Sequence, residues 1–262
     1  MAAVLSKAGG QLVRVEDAMT ALNLDRSSAS KTLARWQLQR WLKRVGHGLY
    51  APVPLDTHAT EQVLEDPWIL VPALFGEAYI GGWTAAEHWD LTEQLFRDTM
   101  VFTTKKIRDR RHAVNGILFV LRHIQRKLLF GTRTIWHGQT RVQLSDIHRT
   151  MIDMLADPST GGGIRHVADC FAAYLKHKDA SAETLIAYAS KLGNGAVYKR
   201  MGFLSSAYPD QGTLTLACRD LMTKGNAKLD PDIPCPRLVK AWRVWIPDNW
   251  RPSARKGEGA SA

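Results

Sequence analysis

Gly161-Gly162-Gly163 ahead of a helical stretch could cradle a phosphate on backbone N–H groups. It lies outside any G-x-x-x-x-G-K-[ST] or G-x-G-x-x-G context, so a plain helix start is the expected reading. Ser145, Asp146 and His148 have the residue types of a catalytic triad. Triads are assembled from separate parts of a fold, so so tight a cluster reads instead as a capped helix N-terminus. Asp146 and Asp153 are seven residues apart on one helical face and could hold a metal, but Asp146 is also placed to favour the helix dipole. His112, His123 and His137 lack H-x-x-x-H or H-E-x-x-H spacing. They read as phosphate contacts or surface histidines rather than zinc ligands. A restriction-type nuclease needs an acid-x-Lys strand beside another carboxylate to hold Mg²⁺. The candidate strands Met100–Thr103, Ile117–Arg122 and Thr132–Trp136 carry no carboxylate. No catalytic residue, metal or cofactor is therefore expected, and the chain reads as a non-enzyme.

Charge offers a stronger signal. Lys and Arg total 35 against 25 Asp and Glu, a formal net charge of +10. Residues 1–55 hold +5 and residues 105–141 hold +9, so the rest sums to −4. Two basic blocks on a mildly acidic body point to a polyanionic partner. The densest run is Lys105, Lys106, Arg108, Arg110 and Arg111.

The 262 residues suit one or two domains, and at 45% hydrophobic and 23% charged they suit an ordinary globular core. Cys170, Cys218 and Cys235 are odd in number and include no C-x-x-C pair. A disulfide scaffold or zinc cluster is therefore not expected, and a reducing cytoplasm is. The longest apolar stretch, Ile69–Gly76, is interrupted by Pro72 and falls short of the ~20 residues of a membrane helix. The N-terminus has no charged region ahead of a long apolar run, so neither signal peptide nor membrane partner is expected.

The elements that must position the first basic block read as a winged helix-turn-helix over residues 1–55. Val13–Val15 predicts a short strand, and Glu16–Asn23 a helix with Ala18, Met19 and Leu22 at helical spacing. Ser27 or Ser28 is positioned to cap a second helix running to about Leu42, with Ala29, Leu33, Trp36 and Trp41 as its core stripe. Ser28, Lys31 and Arg35 share another face of it, suited to a major groove. Gly46-His47-Gly48 then turns a hairpin between Lys43-Arg44-Val45 and Leu49-Tyr50-Ala51, and Pro52 and Pro54 end it. On this reading Ser28, Lys31 and Arg35 meet base edges or phosphates, while Arg26, Lys43, Arg44 and His47 contact phosphate. The basic run at 105–111 extends the footprint.

Residues 56–76 read as a linker or connecting helix. Residues 77–250 read as a larger α+β domain, a mixed sheet followed by helices, and residues 251–262 as a disordered tail. Thr84 with Glu87 suggests a capping box for a helix at Ala85–Trp89. Met100–Thr103, Ile117–Arg122, Thr132–Trp136 and Val142–Leu144 read as mostly antiparallel strands. Ser145 is expected to cap a helix over Asp146–Leu155. Arg149 and Asp153 on that helix suggest a surface ion pair worth only ~0.3–0.5 kcal/mol. Gly81-Gly82-Trp83 suggests a turn packed under the sheet. Helices follow at about Ile164–His177, Ala182–Lys191, Gly195–Ala207 and Gly212–Thr223. A late strand, Trp242–Ile246, is expected to return to the sheet.

Ala78–Gln94 (AYIGGWTAAEHWDLTEQ), Val142–Phe171 (VQLSDIHRTMIDMLADPSTGGGIRHVADCF) and Val197–Leu204 (VYKRMGFL) together resemble the AbiEi family, the antitoxins of type IV (AbiE) toxin–antitoxin systems linked to abortive phage infection. The resemblance spans roughly residues 5–225. Its motifs place Trp83, Glu87, Asp146, Arg149 and Asp153 in the antitoxin domain and Ser27–Trp41 on the recognition helix. It implies a winged helix that binds inverted repeats in its own promoter, as a monomer or weak dimer paired on the DNA. It also implies a C-terminal domain that opposes a nucleotidyltransferase-like toxin. His148 departs from the acidic residue frequent there, and the late segment with Pro231, Pro234, Pro236, Trp242, Trp245 and Trp250 departs from the pattern too. A protein-interaction module that binds the toxin directly is the alternative reading, and a metal-dependent nuclease a weaker one.

Overall fold

A computed structural model describes residues 1–9, 12–53, 66–114 and 116–250. Residues 56–65 of the expected connecting segment 56–76, and the whole of the expected tail 251–262, lie outside the described residues. The class is α+β, with helices and, among the described residues, three separate sheets. Packing divides the chain into two units. One comprises Met1–Ile80, Arg97–Ile124 and Thr134–Gln143; the other comprises Gly81–Phe96, Gln125–Arg133 and Leu144 onward. The division cuts across chain order, and most of the sheet groups with the N-terminal residues rather than with the later helices.

In the first unit, α1 (Ala2–Lys7), β1 (Val13–Arg14), α2 (Val15–Leu22), α3 (Arg26–Leu38), β2 (Leu42–Gly46) and β3 (Leu49–Pro52) follow one another. Strand β3 lies between β1 and β2, antiparallel to both. Val4, Val13, Ala18, Ala29 and Leu33 are fully buried, and Trp36, Leu42 and Tyr50 close the same core. The cap of α3 is Asp25, not Ser27 or Ser28: its carboxylate accepts from both serine backbone N–H groups, at 2.8 and 3.0 Å. Oδ1 takes both backbone donors and leaves Oδ2 to accept the Ser28 hydroxyl, a further acceptor that a serine cap lacks. The helix also ends earlier than expected. Arg40 adopts a left-handed φ of 60°, and Leu42 already belongs to β2, so Trp41 leaves the core stripe and is 41% exposed.

Beyond α4 (Leu70–Phe75) runs β4 (Ala78–Ile80), followed by α5 (Gly82–His88) of the second unit, β5 (Thr99–Thr103), β6 (Arg111–Val114), β7 (Ile117–His123), β8 (Thr132–His137) and β9 (Thr140–Ser145). They form one sheet in the order β6-β7-β5-β4-β9-β8. Strand β6, which the sequence reading lacks, takes the outer edge, and β7 therefore returns beside β5 in parallel rather than antiparallel. Phe119 and Leu121 alternate toward the buried face of β7, as period-2 burial requires. Helix α5 starts at Gly82, two residues before the expected cap at Thr84. Gly82 has a φ of 55°, which glycine adopts without strain, so the chain turns from β4 directly into the helix. Thr84 is then buried inside the first turn and Glu87 forms no capping box with it.

The second unit holds α6 (Ile147–Ala156), α7 (Ile164–Lys176), α8 (Ala182–Leu192), α9 (Gly195–Ser205), α10 (Gly212–Asp220), β10 (Ala227–Lys228), β11 (Arg237–Val239) and β12 (Val244–Ile246). Its core includes Met151, Ile152, Val167, Phe171, Leu185, Val197 and Met201. The late strand does not return to the large sheet: β12 pairs with β10 and β11 in a sheet of its own. Arg200 ties that sheet to the helices. Its guanidinium donates to Leu155 O and Ala156 O at 2.8 and 2.9 Å and to Lys228 O at 2.8 and 3.0 Å. A cation thus satisfies the last carbonyls of α6 and ties them to β10. Burial lowers Arg200 to about 10, which leaves it charged at neutral pH. A Cβ at Gly202 would lie 2.2 Å from the Trp242 ring, so the VYKRMGFL segment supplies both a bracket and the space for a late tryptophan.

Arg200→Met should destabilise the second unit by about 3 kcal/mol, because it orphans buried carbonyls, and Gly202→Ala should lower its melting temperature through the clash with Trp242. Thermal denaturation of the two variants measures both effects.

Candidate nucleic-acid interface

The core contacts of α3 decide which side chains face water. At 100° per residue, Ala29, Leu33 and Trp36 point one way, and Ser27, Lys31, Ala34 and Leu38 lie within about 60° of one another on the opposite side. All four of the latter are exposed, Leu38 to 85%. Arg35 is exposed at the edge of this row. The sequence reading placed Lys31 and Arg35 on the solvent face but missed Ser27, Ala34 and Leu38, which the phase of the buried residues would have supplied. Ser28 differs from expectation. It is half-buried, and its hydroxyl donates to Asp25 Oδ2 at 2.7 Å, so it serves the cap rather than a base edge. That hydroxyl, with the Ser28 and Ser27 N–H groups, holds the Asp25 carboxyl below its ordinary value.

Arg26 lies on the first turn with Nη1 2.7 Å from Glu16 Oε1, and both side chains are largely exposed. Such a pair contributes little to stability and leaves the arginine accessible. In the hairpin, Arg44 and His47 are exposed and Lys43 is half-buried; Arg44 Nε donates to Gly46 O at 3.1 Å. Lys105, Lys106, Arg108, Arg110 and Arg111 are all exposed along the β5–β6 connection and the start of β6. Leu74 on α4 links the two basic regions: its carbonyl accepts from Lys105 Nζ at 2.9 Å, and its Cδ2 lies 2.9 Å from where a Cβ would stand on Gly46. The turn of the β2–β3 hairpin and the root of the basic run therefore meet on one residue.

The motif residues of the second unit have a different setting. Asp146, not Ser145, caps α6, accepting from Arg149 N at 2.7 Å, and its other oxygen accepts from Tyr188 at 2.8 Å. Ser145 ends β9, fully buried, with its hydroxyl 2.7 Å from Thr150 Oγ1. His148 Nδ1 lies 2.8 Å from the Tyr174 hydroxyl. Ser145, Asp146 and His148 thus point to three different partners and form no triad. The expected surface pair of Arg149 and Asp153 is a buried one: Nε to Oδ1 is 3.0 Å, with exposures of 0% and 4%. The Arg149 guanidinium lies 4.1 Å from the centre of the Phe130 ring, and Lys191 Nζ lies 4.4 Å from it. Trp83 stacks on Phe96 at 5.2 Å, and Glu87 is half-buried on α5.

Other candidate chemistry is occupied by structure. The Ile164 N–H after Gly163 donates to Asp230 Oδ2 at 3.0 Å, so a carboxylate of the chain itself sits where a phosphate would. Cys170 lies 3.7 Å from His166 Nε2, but burial, helped by Asp169, pushes its thiol up to about 12, far from a thiolate nucleophile. His112 packs edge-on to Phe75, His123 faces Lys105 O, and His137 bonds to Asp66. Among the described residues no group of three or more His, Cys, Asp and Glu is gathered to hold a metal ion. No helix among them is long and apolar enough to cross a membrane.

No family model and no curated protein matches the chain. A solved structure does. The chain is similar in fold to the RV2827C protein from Mycobacterium tuberculosis. The crystal structure of that protein superposes with a TM-score of 0.58 over 92% of this chain and 90% of its own, at 16% identity. The similarity shows the fold alone.

Arg149→Met or Asp153→Leu alone should cost about 3–5 kcal/mol by stranding a buried charge, and the double variant should recover most of that loss; chemical denaturation of all three measures it. Burial also lowers the pKa of His148, outweighing Asp146. The folded state thus favours neutral imidazole, so this contribution is complete above the ordinary value of 6.5 and declines as pH falls through it toward the lower folded value. Denaturation of wild type between pH 7.5 and 5 should show that decline, and His148→Gln should flatten it.

Proposed function

We propose that this chain is a winged helix-turn-helix protein that binds duplex DNA without catalysis, through α3, the β2–β3 hairpin and the basic run Lys105–Arg111. The observation that carries the reading is the phase of α3, which buries Leu33 and Trp36 and leaves Lys31 and Arg35 on the open side. A strand-backed hairpin with Lys43, Arg44 and His47 follows it directly, as in modules that lay a recognition helix in the major groove. The contact of Leu74 with both Gly46 and Lys105 supports one continuous basic surface. The exposed Lys105, Lys106, Arg108, Arg110 and Arg111 supply phosphate attraction there that carries no sequence information.

The resemblance to AbiEi antitoxins supports the biological setting. In this proposal the chain represses its own operon from inverted repeats, two copies pairing on the DNA. It opposes a nucleotidyltransferase-like toxin in the cytoplasm. The exposed basic surface favours DNA over the alternative of a protein-docking module.

Binding to a labelled duplex from the gene's own upstream region, against a scrambled duplex over a range of salt, tests the reading. Specific binding with a steep salt slope is expected, and Lys31→Ala or Arg35→Ala should each weaken it about tenfold or more. Reversing Lys106, Arg108, Arg110 and Arg111 to Glu should lower the slope by about 0.9 for each cation that meets a phosphate. Equal, weak binding to both duplexes would overturn the proposal in favour of a docking module.

A further inference from the structure

The central row of α3 is not uniformly polar. Lys31 is followed at i+3 by Ala34 and at i+7 by Leu38, and all three face solvent, Leu38 at 85% exposure. Neither apolar side chain touches the core of the N-terminal unit, which α3 reaches through Ala29, Leu33 and Trp36. A face built only to hold phosphate would gain nothing from alanine and leucine at its centre, since that attraction comes from Lys and Arg. Apolar side chains add affinity where the duplex itself presents an apolar group. In the major groove that group is the C5-methyl of thymine.

We infer that Ala34 and Leu38 are specificity-determining residues that pack on thymine methyl groups, so that the preferred duplex carries two thymines under α3. The inference rests on the DNA-binding reading given above and deepens it. Spacing sets the pattern. At a rise of ~1.5 Å per residue, Ala34 lies ~4.5 Å and Leu38 ~10.5 Å beyond Lys31 along the helix. Base pairs stack ~3.4 Å apart. The two thymines are therefore about two base-pair steps apart, the first about one step from the position that Lys31 contacts. Ser27, one turn before Lys31, extends the row toward the N-terminal end of the helix, and Arg35 flanks it.

The test replaces a single chemical group. A random duplex pool is selected on the full-length chain, and the best-bound duplex is remade with 2′-deoxyuridine for thymidine, which removes only the C5-methyl. For each copy of the chain bound, wild type should hold the uracil duplex about 15-fold more weakly, at about fourfold per methyl withdrawn from water. Leu38→Ser should cut that ratio to about fourfold, and Ala34→Ser with Leu38→Ser should abolish it. Both positions are exposed, so the variants keep the wild-type melting curve. Lys31→Ala should weaken binding to both duplexes yet preserve their ratio. Equal binding of the two duplexes by wild type, or an undiminished ratio in the double variant, would overturn the inference while leaving DNA binding intact. Failure to enrich any duplex would overturn the DNA-binding reading itself, and this inference with it.

Discussion

Helix α3 owes its rotation about its own axis to Ala29, Leu33 and Trp36, which are buried with Val13, Ala18, Leu42 and Tyr50. A helix pinned at three points on one side has no freedom left to choose what it shows on the other. Sliding the buried set by one residue would turn the helix by 100° and carry Lys31 off the exposed face. The Asp25 cap fixes where the helix begins, and the left-handed Arg40 fixes where it stops. Everything proposed for the basic surface depends on this packing, although none of the residues that do the packing is itself basic.

Charge in this chain lives in two dielectric settings. On the first unit it is exposed and repetitive, and each cation there is separately weak, screened by salt, and replaceable by another cation nearby. In the second unit, beside exposed charges, two arginines are buried. Arg149 has the Asp153 carboxylate 3.0 Å away, and Arg200 makes four hydrogen bonds to backbone carbonyls. Burial makes each of those contacts geometrically exacting, since removing one partner leaves an uncompensated group away from water. The exposed set suits the partner proposed above, whose charge is repeated and close to water. The buried set suits the holding of one arrangement of helices.

Much of the architecture was legible from periodicity alone. The helices after Ile164, the hairpin at Gly46–Gly48 and most strands of the large sheet fall close to where apolar spacing puts them, because burial imposes a period of 3.6 or 2. The failures are local or long-range. Caps shifted from Ser27, Thr84 and Ser145 to Asp25, Gly81 and Asp146. Several residues near a helix start are chemically able to cap, and the backbone turn decides among them. Strand β6 reads Arg-His-Ala-Val with three exposed positions, so an edge strand of this kind gives little alternation to detect. The burial of Arg149 was invisible because an i, i+4 Arg–Asp pair has the same spacing at a surface as in a core. What packs near it comes from elsewhere in the chain: Phe130 under its guanidinium and Tyr188 beside Gly131.

The segments that carry the family resemblance are largely the segments that build the second unit. Asp146 caps α6 and holds Tyr188, Arg149 and Asp153 form a buried pair, Arg200 joins α6 to β10, and Gly202 makes room for Trp242. Residues under such constraints tolerate little change whatever the protein does, so motifs made of them report a shared scaffold more directly than a shared partner. The residues best placed to choose a partner are those that the scaffold leaves unconstrained. On α3 these are Ser27, Lys31, Ala34, Arg35 and Leu38, which can change type without disturbing a buried neighbour. Side chains so placed set what the surface recognises without altering the scaffold that presents it.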